Sequence, residues 1–444
     1  MREAPTTIWQ EVTLGQLAKG FRGVSYRPEN LLGYPSDSAV TLLRATNIQQ
    51  GNLTFDDVQL VPKWLVSPTQ ILEAGDIAVC MSNGSKTLVG KCASYQRSEK
   101  DTYTVGAFCS IFKPVDAIDA EFIFHLFRSQ AYQKNIDVVL AGSAINNLKN
   151  SSIESAVFKI PVDKKQRQKI AAILTSIDTA IERTEVLIAK YQQIKAGLMH
   201  DLFTRGVLPN GQLRPSREQA PELYQETKIG WMPREWSVIH LGNMANIVSG
   251  VTLGAKAGPT DTIEAPYLRV ANVQDGYLEL TEVKTVRISP KTLEQLRLEP
   301  GDVLMNEGGD FDKLGRGAVW KGELENCVHQ NHVFRVRCDA AMLLSSYLAF
   351  YSESAFGKKY FVMSSKQSTN LASINSTQLK AYPIAIPKLE EQNVIVQNIL
   401  RVKNRLATLR AGADSLRAQK LGLMQDLLTG KVQVKIKDKE TEPA

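Results

Sequence analysis

Gly197-Leu198-Met199-His200-Asp201-Leu202-Phe203-Thr204 returns as Gly422-Leu423-Met424-Gln425-Asp426-Leu427-Leu428-Thr429, 225 residues further along a chain of 444. A chain made of two copies of one design carries an approximate twofold inside a single polypeptide. Such a shape suits a partner with twofold character of its own, and duplex DNA is the commonest partner of that kind.

Upstream of both motifs the repeat continues element by element. Trp9…Leu14-Gly15 returns as Trp236…Leu241-Gly242. Leu43-Arg44-Ala45-Thr46-Asn47-Ile48-Gln49-Gln50-Gly51-Asn52-Leu53 has its counterpart in Leu268-Arg269-Val270-Ala271-Asn272-Val273-Gln274-Asp275-Gly276-Tyr277-Leu278. Leu72-Glu73-Ala74-Gly75-Asp76-Ile77 matches Leu298-Glu299-Pro300-Gly301-Asp302-Val303, a turn followed by a strand in both cases. Ala131-Tyr132 aligns with Ala355-Phe356, and Asn147-Leu148 with Asn370-Leu371. Each globular part ends at an Ile-Pro, Ile160-Pro161 and Ile386-Pro387. The spacing drifts from 223 to 227 residues, as small loop insertions around a common core would make it.

After each Ile-Pro the pattern changes to one long helical period. Ile170, Ile177, Thr184, Tyr191 and Leu198 fall seven apart, as do Leu174, Ile181, Ile188, Lys195 and Leu202. In the second copy the rows are Ile395, Val402, Leu409, Leu416, Leu423 and Ile399, Leu406, Ala413, Lys420, Leu427. Alternating steps of three and four over this length predict a coiled-coil seam. Gln166 and Gln392 align better at 226, which predicts a one-residue change at the helix start. Some 40 residues of helix extend about 60 Å. A helix that long with one apolar stripe needs a partner, and its own copy is the obvious one. Lys195 and Lys420 occupy the same position in the seam. Either their stems pack while the ammonium reaches water, or they pin the register or pair with a subunit helix.

The expected fold is therefore mixed α/β. Two similar globular domains are separated by two long antiparallel coiled-coil helices with a pseudo-twofold. The divisions are residues 1–162 (first domain), 163–204 (first helix), 205–235 (linker), 236–387 (second domain), 388–430 (second helix) and 431–444 (tail). The linker carries Pro209, Pro215, Pro221 and Pro233 and reads as surface chain. Like helices related by a twofold across their axes run antiparallel, so the helices become a spacer with a reader at each end. Two such readers can touch DNA sites about one helical turn, roughly 34–36 Å, apart.

A net charge of +7 makes a polyanionic partner plausible. The five cysteines, Cys80, Cys92, Cys109, Cys327 and Cys338, are odd in number and form no Cys-x-x-Cys pair, which predicts reduced thiols and no zinc site. No apolar run of 18 residues is present, so neither a membrane span nor a secretory leader is expected. The chain has no phosphate-binding GxxxxGK[ST] loop, no GxGxxG after a strand, no HExxH and no Asn-Pro-Pro-aromatic of amino-methyltransferases. His329 and His332 read as structural or surface residues. The triplets Asp163-x-Lys165 and Glu282-x-Lys284 are of a kind that arises by chance. A stand-alone enzyme is disfavoured.

Two α/β readers, each followed by a long helix ending in Gly-Leu-Met-x-Asp-Leu-x-Thr, resemble the specificity subunit of type I restriction–modification systems. The resemblance covers nearly the whole chain. It rests on the duplicated helix ends, the helix entries Pro161–Gln166 and Pro387–Gln392, and the Leu-x-x-Gly-Asp turns. It implies two target-recognition domains, each reading one half of a bipartite, asymmetric DNA sequence, with helix length setting the gap. Two methyltransferase subunits would dock on the helices and bring S-adenosylmethionine and the adenine methyltransferase site. Restriction subunits would add translocation and cleavage driven by ATP and Mg. The chain itself would catalyse nothing and hold no cofactor or metal, and the setting would be the cytoplasm of a prokaryotic cell. The alternatives are a protein-only coiled-coil scaffold and a self-contained methyltransferase or nuclease.

Features shared by both copies cannot distinguish two different half-sites. Arg44, Asn47 and Gln49 with Arg269, Asn272 and Gln274 are thus scaffold or generic phosphate contacts. Specificity must reside where the copies differ. One pair of loops is Ser82, Asn83, Gly84, Ser85, Lys86, Thr87, then Lys91, against Asn306, Glu307, Gly308, Gly309, Asp310, Phe311, Asp312, Lys313, then Arg316. The other pair is Ser143, Ala144, Ile145, Asn146, Asn147 against Ser364, Ser365, Lys366, Gln367, Ser368. Lys and Arg can reach phosphate or guanine, and Asn and Gln can read adenine. On the helices, Tyr191, Lys195, Leu198, Met199, Leu202, Leu416, Lys420, Leu423, Met424 and Leu427 are the candidate subunit contacts.

Overall fold

The Leu-x-x-Gly-Asp turns explain why the two halves fold alike. Asp76 accepts the backbone N–H of Glu73 at 2.8 Å, and Asp302 accepts that of Glu299 at 2.7 Å. Each aspartate closes a tight turn and launches a fully buried strand, Ile77–Cys80 or Val303–Asn306. A cation on the neighbouring antiparallel strand balances the buried carboxylate. Lys113 reaches Asp76 at 2.7 Å and Arg337 reaches Asp302 at 2.7 Å. A buried carboxylate without such a partner would cost several kcal/mol (on the order of 3–5), so turn and cation belong to one device.

The computed structural model describes residues 8–96, 102–142, 146–252, 261–309, 314–367 and 372–436. The chain forms two compact units, Met1–Val186 with Ala411–Ala444, and Leu187–Arg410. The first holds a four-stranded antiparallel sheet in the order Ala18–Arg22, Cys109–Pro114, Ile77–Cys80, Cys92–Ser94. The second repeats it with Ala245–Ser249, Val333–Cys338, Val303–Asn306 and Gly317–Val319. Each unit adds a three-stranded sheet with one parallel pair. Its strands are Gln59–Pro62, Ala39–Leu43 and Tyr103–Val105 in one, and Lys284–Ile288, Ile263–Leu268 and Val328–His329 in the other. A two-stranded ribbon joins the start and finish of each globular domain, Trp9–Thr13 with Val157–Pro161 and Ser237–His240 with Pro383–Ile386. The class is mixed α/β, as expected.

The long helices are Lys164–Thr204 and Leu389–Leu428. Each crosses from one unit into the other, so the compact units do not follow the division into domain and helix read from the sequence. In the first unit, Ile170, Ala171 and Leu174 from the start of the first helix share a core with Met424, Leu427 and Leu428 from the end of the second. In the second unit, Ile395, Val396 and Ile399 from the start of the second helix share a core with Met199, Leu202 and Phe203 from the end of the first. Start packs against end in both units, so the pairing in each is antiparallel. This is why the Gly-Leu-Met-x-Asp-Leu-x-Thr motif is written twice: each helix ends inside the core that surrounds the other copy's domain. Burial of each such side chain contributes about 1.5–3 kcal/mol.

Two sequence expectations change. Arg167, not Gln166, takes the place of Gln392 at the helix entry. Arg167 donates to the carbonyl of Pro161 at 2.7 Å and to both oxygens of buried Asp119, while Gln392 donates to the carbonyls of Pro387 at 3.0 Å and Met342 at 2.9 Å. The two helices therefore correspond at 225 throughout. The segment 205–235, read as a surface linker, is packed into the second unit. It contains the hairpin Tyr224–Thr227 with Gly230–Pro233, and it buries Val207, Arg214, Tyr224 and Met232. Arg214 pairs there with Glu391 and Glu235. Four prolines and sparse apolar residues hid a segment anchored by an ion cluster.

Candidate nucleic-acid interface

In each unit the fold brings the two divergent loops together. In the first, Ser82 forms a β-bridge with Asn147, and Asn146 donates to the Gly84 carbonyl at 3.2 Å. Asn83 holds the tip by accepting the Ser85 N–H at 3.0 Å. Ser85, Lys86 and Asn147 are exposed on this surface. In the second, Gly308–Gly309 pairs with Ala372–Ser373, which pairs in turn with Lys366–Gln367. Glu307 lies 2.5 Å from the His332 ring. Ser143, Ala144, Ile145, Asp310, Phe311, Asp312, Lys313 and Ser368 lie outside the described residues, and Lys366 and Gln367 are described in their backbone alone.

The residues shared by both copies behave differently. Asn47 accepts the Arg44 N–H at 2.8 Å and donates to the Asp56 carbonyl at 2.8 Å; it is 2% exposed. Asn272 repeats this with the Arg269 N–H and the carbonyls of Glu279 and Glu282. Arg44 pairs with Asp57, Arg269 with Glu282, and both remain half-buried. Both arginines are thus paired within their domain, and both asparagines shape their turns. Gln49 and Gln274 donate to the carbonyls of Thr46 and Ala271. Asn306 is buried and donates to the Val273 carbonyl at 3.0 Å. Lys91 and Arg316 part company from the loop tips: Lys91 lines a cleft facing the helices, and Arg316 donates to Gln274 at 3.1 Å.

The seam lysines are paired inside the chain. In the first unit, Asp178 accepts from Lys420 at 2.5 Å and from Arg128 at 2.8 Å. In the second, Glu353 accepts from Lys195 and, at 3.4 Å, from Lys403. Burial pushes the Lys420 and Lys403 ammonium groups down from the usual lysine range, and Glu353 opposes the shift at Lys403. Arg128, Asp178, Glu353 and Lys403 escaped sequence reasoning, for which the repeated seam lysine was the available signal.

The helix positions expected as subunit contacts are buried or half-buried within the chain. Met199, Leu202, Met424 and Leu427 are buried in the chain's own cores, and Tyr191, Leu198, Leu416 and Leu423 are partly covered. The large apolar side chains exposed on the long helices are Val186, Leu187, Ile194 and Leu421. Among the described residues no cluster of His, Cys, Asp and Glu could hold a metal, and no helix is long and apolar enough to cross a membrane. The five cysteines are free, and burial raises the thiols of Cys92, Cys109, Cys327 and Cys338 to about 12.

Residues 68–192 and 233–412 match the type I restriction modification DNA specificity domain. The type I restriction enzyme StySPI specificity subunit of Salmonella potsdam is 29% identical over 418 residues, covering 93% of this chain and 84% of that protein. The EcoKI specificity subunit of Escherichia coli strain K12 is 26% identical over 426 residues, covering 95% and 87%. The crystal structure of the type I restriction–modification S subunit from M. genitalium has the same fold, with a TM-score of 0.56 at 13% identity over 96% of this chain and 98% of that one. A chain from a structure of type I R-M complex assembly and conformational transition gives 0.55 at 16% identity over 97% and 100%.

Proposed function

The chain belongs to the type I restriction modification DNA specificity family, and from that membership we propose that each globular domain reads one half of a bipartite, asymmetric DNA target while the paired helices set the gap between the halves. It is a specificity component and not a catalyst. The observation that carries the reading is the convergence of two divergent loops on one surface of each unit, built on turns that the copies share. Identical scaffolds with different loop tips are what two readers of unlike half-sites require.

In this reading Ser82, Asn83, Ser85, Lys86, Asn146 and Asn147 form one contact surface, and the segments carrying Glu307, Lys366 and Gln367 belong to the other. Arg44 and Arg269 position the backbone, and the buried asparagines keep the turns in shape. Methyltransferase subunits dock on the outward helix faces around Val186, Leu187, Ile194 and Leu421, bringing S-adenosylmethionine. Restriction subunits bring ATP and Mg, and the assembly works in the cytoplasm of a prokaryotic cell. Mapping methylated adenines genome-wide, in a host carrying this chain and its modification partner, tests the reading. Exchange of residues 236–387 for another reader is expected to change one half of the methylated sequence. A change in both halves, or in neither, defeats the two-reader scheme.

A further inference from the structure

The ion clusters where domain meets helix follow one plan with the charges moved. Asp178 corresponds to Lys403, and Lys195 to Lys420, at the 225-residue spacing of the helices. Arg128 corresponds to Glu353, because the serine that follows each caps the next helix. Ser129 accepts the N–H of Tyr132, and Ser354 that of Gly357. This places Ala131 opposite Phe356, one residue from the match that sequence alone suggested.

In the first unit the globular domain supplies a cation, Arg128, and the helix leaving it supplies the anion, Asp178. In the second the domain supplies the anion, Glu353, and its helix the cation, Lys403. The lysine from the other helix is unchanged: Lys420 completes one cluster and Lys195 the other. A cation also remains beside the glycine of the shared L-R-x-x-N-[IV]-Q-x-G motif, although its carrier changes. A Cβ on Gly51 would lie 2.9 Å from the Arg128 guanidinium carbon, and one on Gly276 would lie 2.5 Å from Lys403 Nζ.

We propose that Arg128–Asp178 and Glu353–Lys403 are a key of opposite polarity: positioning residues that admit each globular domain only to its own long helix. They thereby fix which domain takes the first place in the chain and which the second. As built, each cluster holds one carboxylate between two cations. With the domains exchanged over fixed helices, Glu353 would face Asp178 with only Lys420 between them. Arg128 would face Lys403 and Lys195 with no anion at all. The side chains are 11–26% exposed in the first cluster and 12–24% in the second, so water screens these repulsions poorly. Within each cluster the constant lysine carries no information about the domain; the reversed pair does. This inference does not depend on what the loops bind.

The full-length chain tests it through Arg128→Glu, Asp178→Lys and the two combined, which writes the second unit's arrangement into the first. Each single reversal is expected to lower the thermal transition by about 5 °C or more. The double variant is expected to regain more than half of the summed loss, because Lys420 suits either arrangement. Single effects that simply add, or singles without effect, overturn the key. A second comparison places residues 236–387 before the first long helix in place of residues 8–161. Asp178→Lys in that chimera is expected to raise its melting temperature by several degrees, and no gain counts against the proposal.

Discussion

His125 Nε2 lies 3.0 Å from Thr175 Oγ1, tying a buried imidazole of the first globular domain to the first long helix. His329 plays a comparable part inside the second unit, its Nδ1–H donating to the Val333 carbonyl at 2.6 Å. Burial, the largest cause at both, lowers each imidazole from 6.5 to about 4, with Asp178 opposing it at His125 and the Val333 carbonyl opposing it at His329. Below pH 6.5 the unfolded chain takes up a proton at each site, and the folded chain does not until about pH 4. The stabilisation is complete above 6.5 and is lost as pH falls towards 4. Between pH 7 and 5 the expected loss is about 2 kcal/mol per histidine. Thermal melts at the two pH values measure it. His125→Gln should flatten the slope, and an unchanged slope would assign the effect to other groups.

Lys86 and Lys91 look alike in sequence, both basic and both just beyond the Gly-Asp strand, yet the structure separates them. Lys86 is exposed beside the paired loop tips, while Lys91 lines a cleft facing the helices. Lys86→Ala is therefore expected to weaken DNA binding and reduce its dependence on log salt by about one ion. Lys91→Ala should leave that slope alone. Binding titrations at several salt concentrations decide the matter, and equal effects would place the contact surface elsewhere.

Much of this architecture was legible because duplication is itself a physical signal. Two copies of Leu-x-x-Gly-Asp could be read as turn and strand because only the aspartate cap and the glycine meet the backbone requirement there. Heptad spacing likewise announced the helices, since a period of 3.5 residues leaves one apolar stripe to cover. What stayed hidden were partners distant in sequence. Nothing local to Lys195 indicates Glu353, and nothing local to Arg214 indicates Glu391. The turn asparagines were ambiguous for a related reason: an amide that can read adenine can equally satisfy three backbone groups.

Asn272 shows how much that second use is worth. Its amide accepts one backbone N–H and donates to two carbonyls at 2.8 and 3.0 Å, with 2% of the residue exposed. Asn272→Ala leaves buried polar groups without partners and should destabilise the second unit by about 2–4 kcal/mol. The DNA sequence recognised should not change. A variant of normal stability with altered target choice would move Asn272 from the scaffold to the reading surface.

The proposed spacer role of the helices makes a geometric prediction. Each unit keeps its own ion cluster, Arg128–Asp178–Lys420 in one and Lys195–Glu353–Lys403 in the other. The boundary between units falls after Val186 in the first helix and after Arg410 in the second. Seven residues inserted at both places preserve the seam and leave both clusters untouched. They lengthen the helical pair by about 10 Å. At about 3.4 Å per base pair, the gap between half-sites should widen by about three base pairs. Methylation mapping of such a variant measures the gap directly. An unchanged gap in a stable, active variant would mean that something other than the helices holds the readers apart.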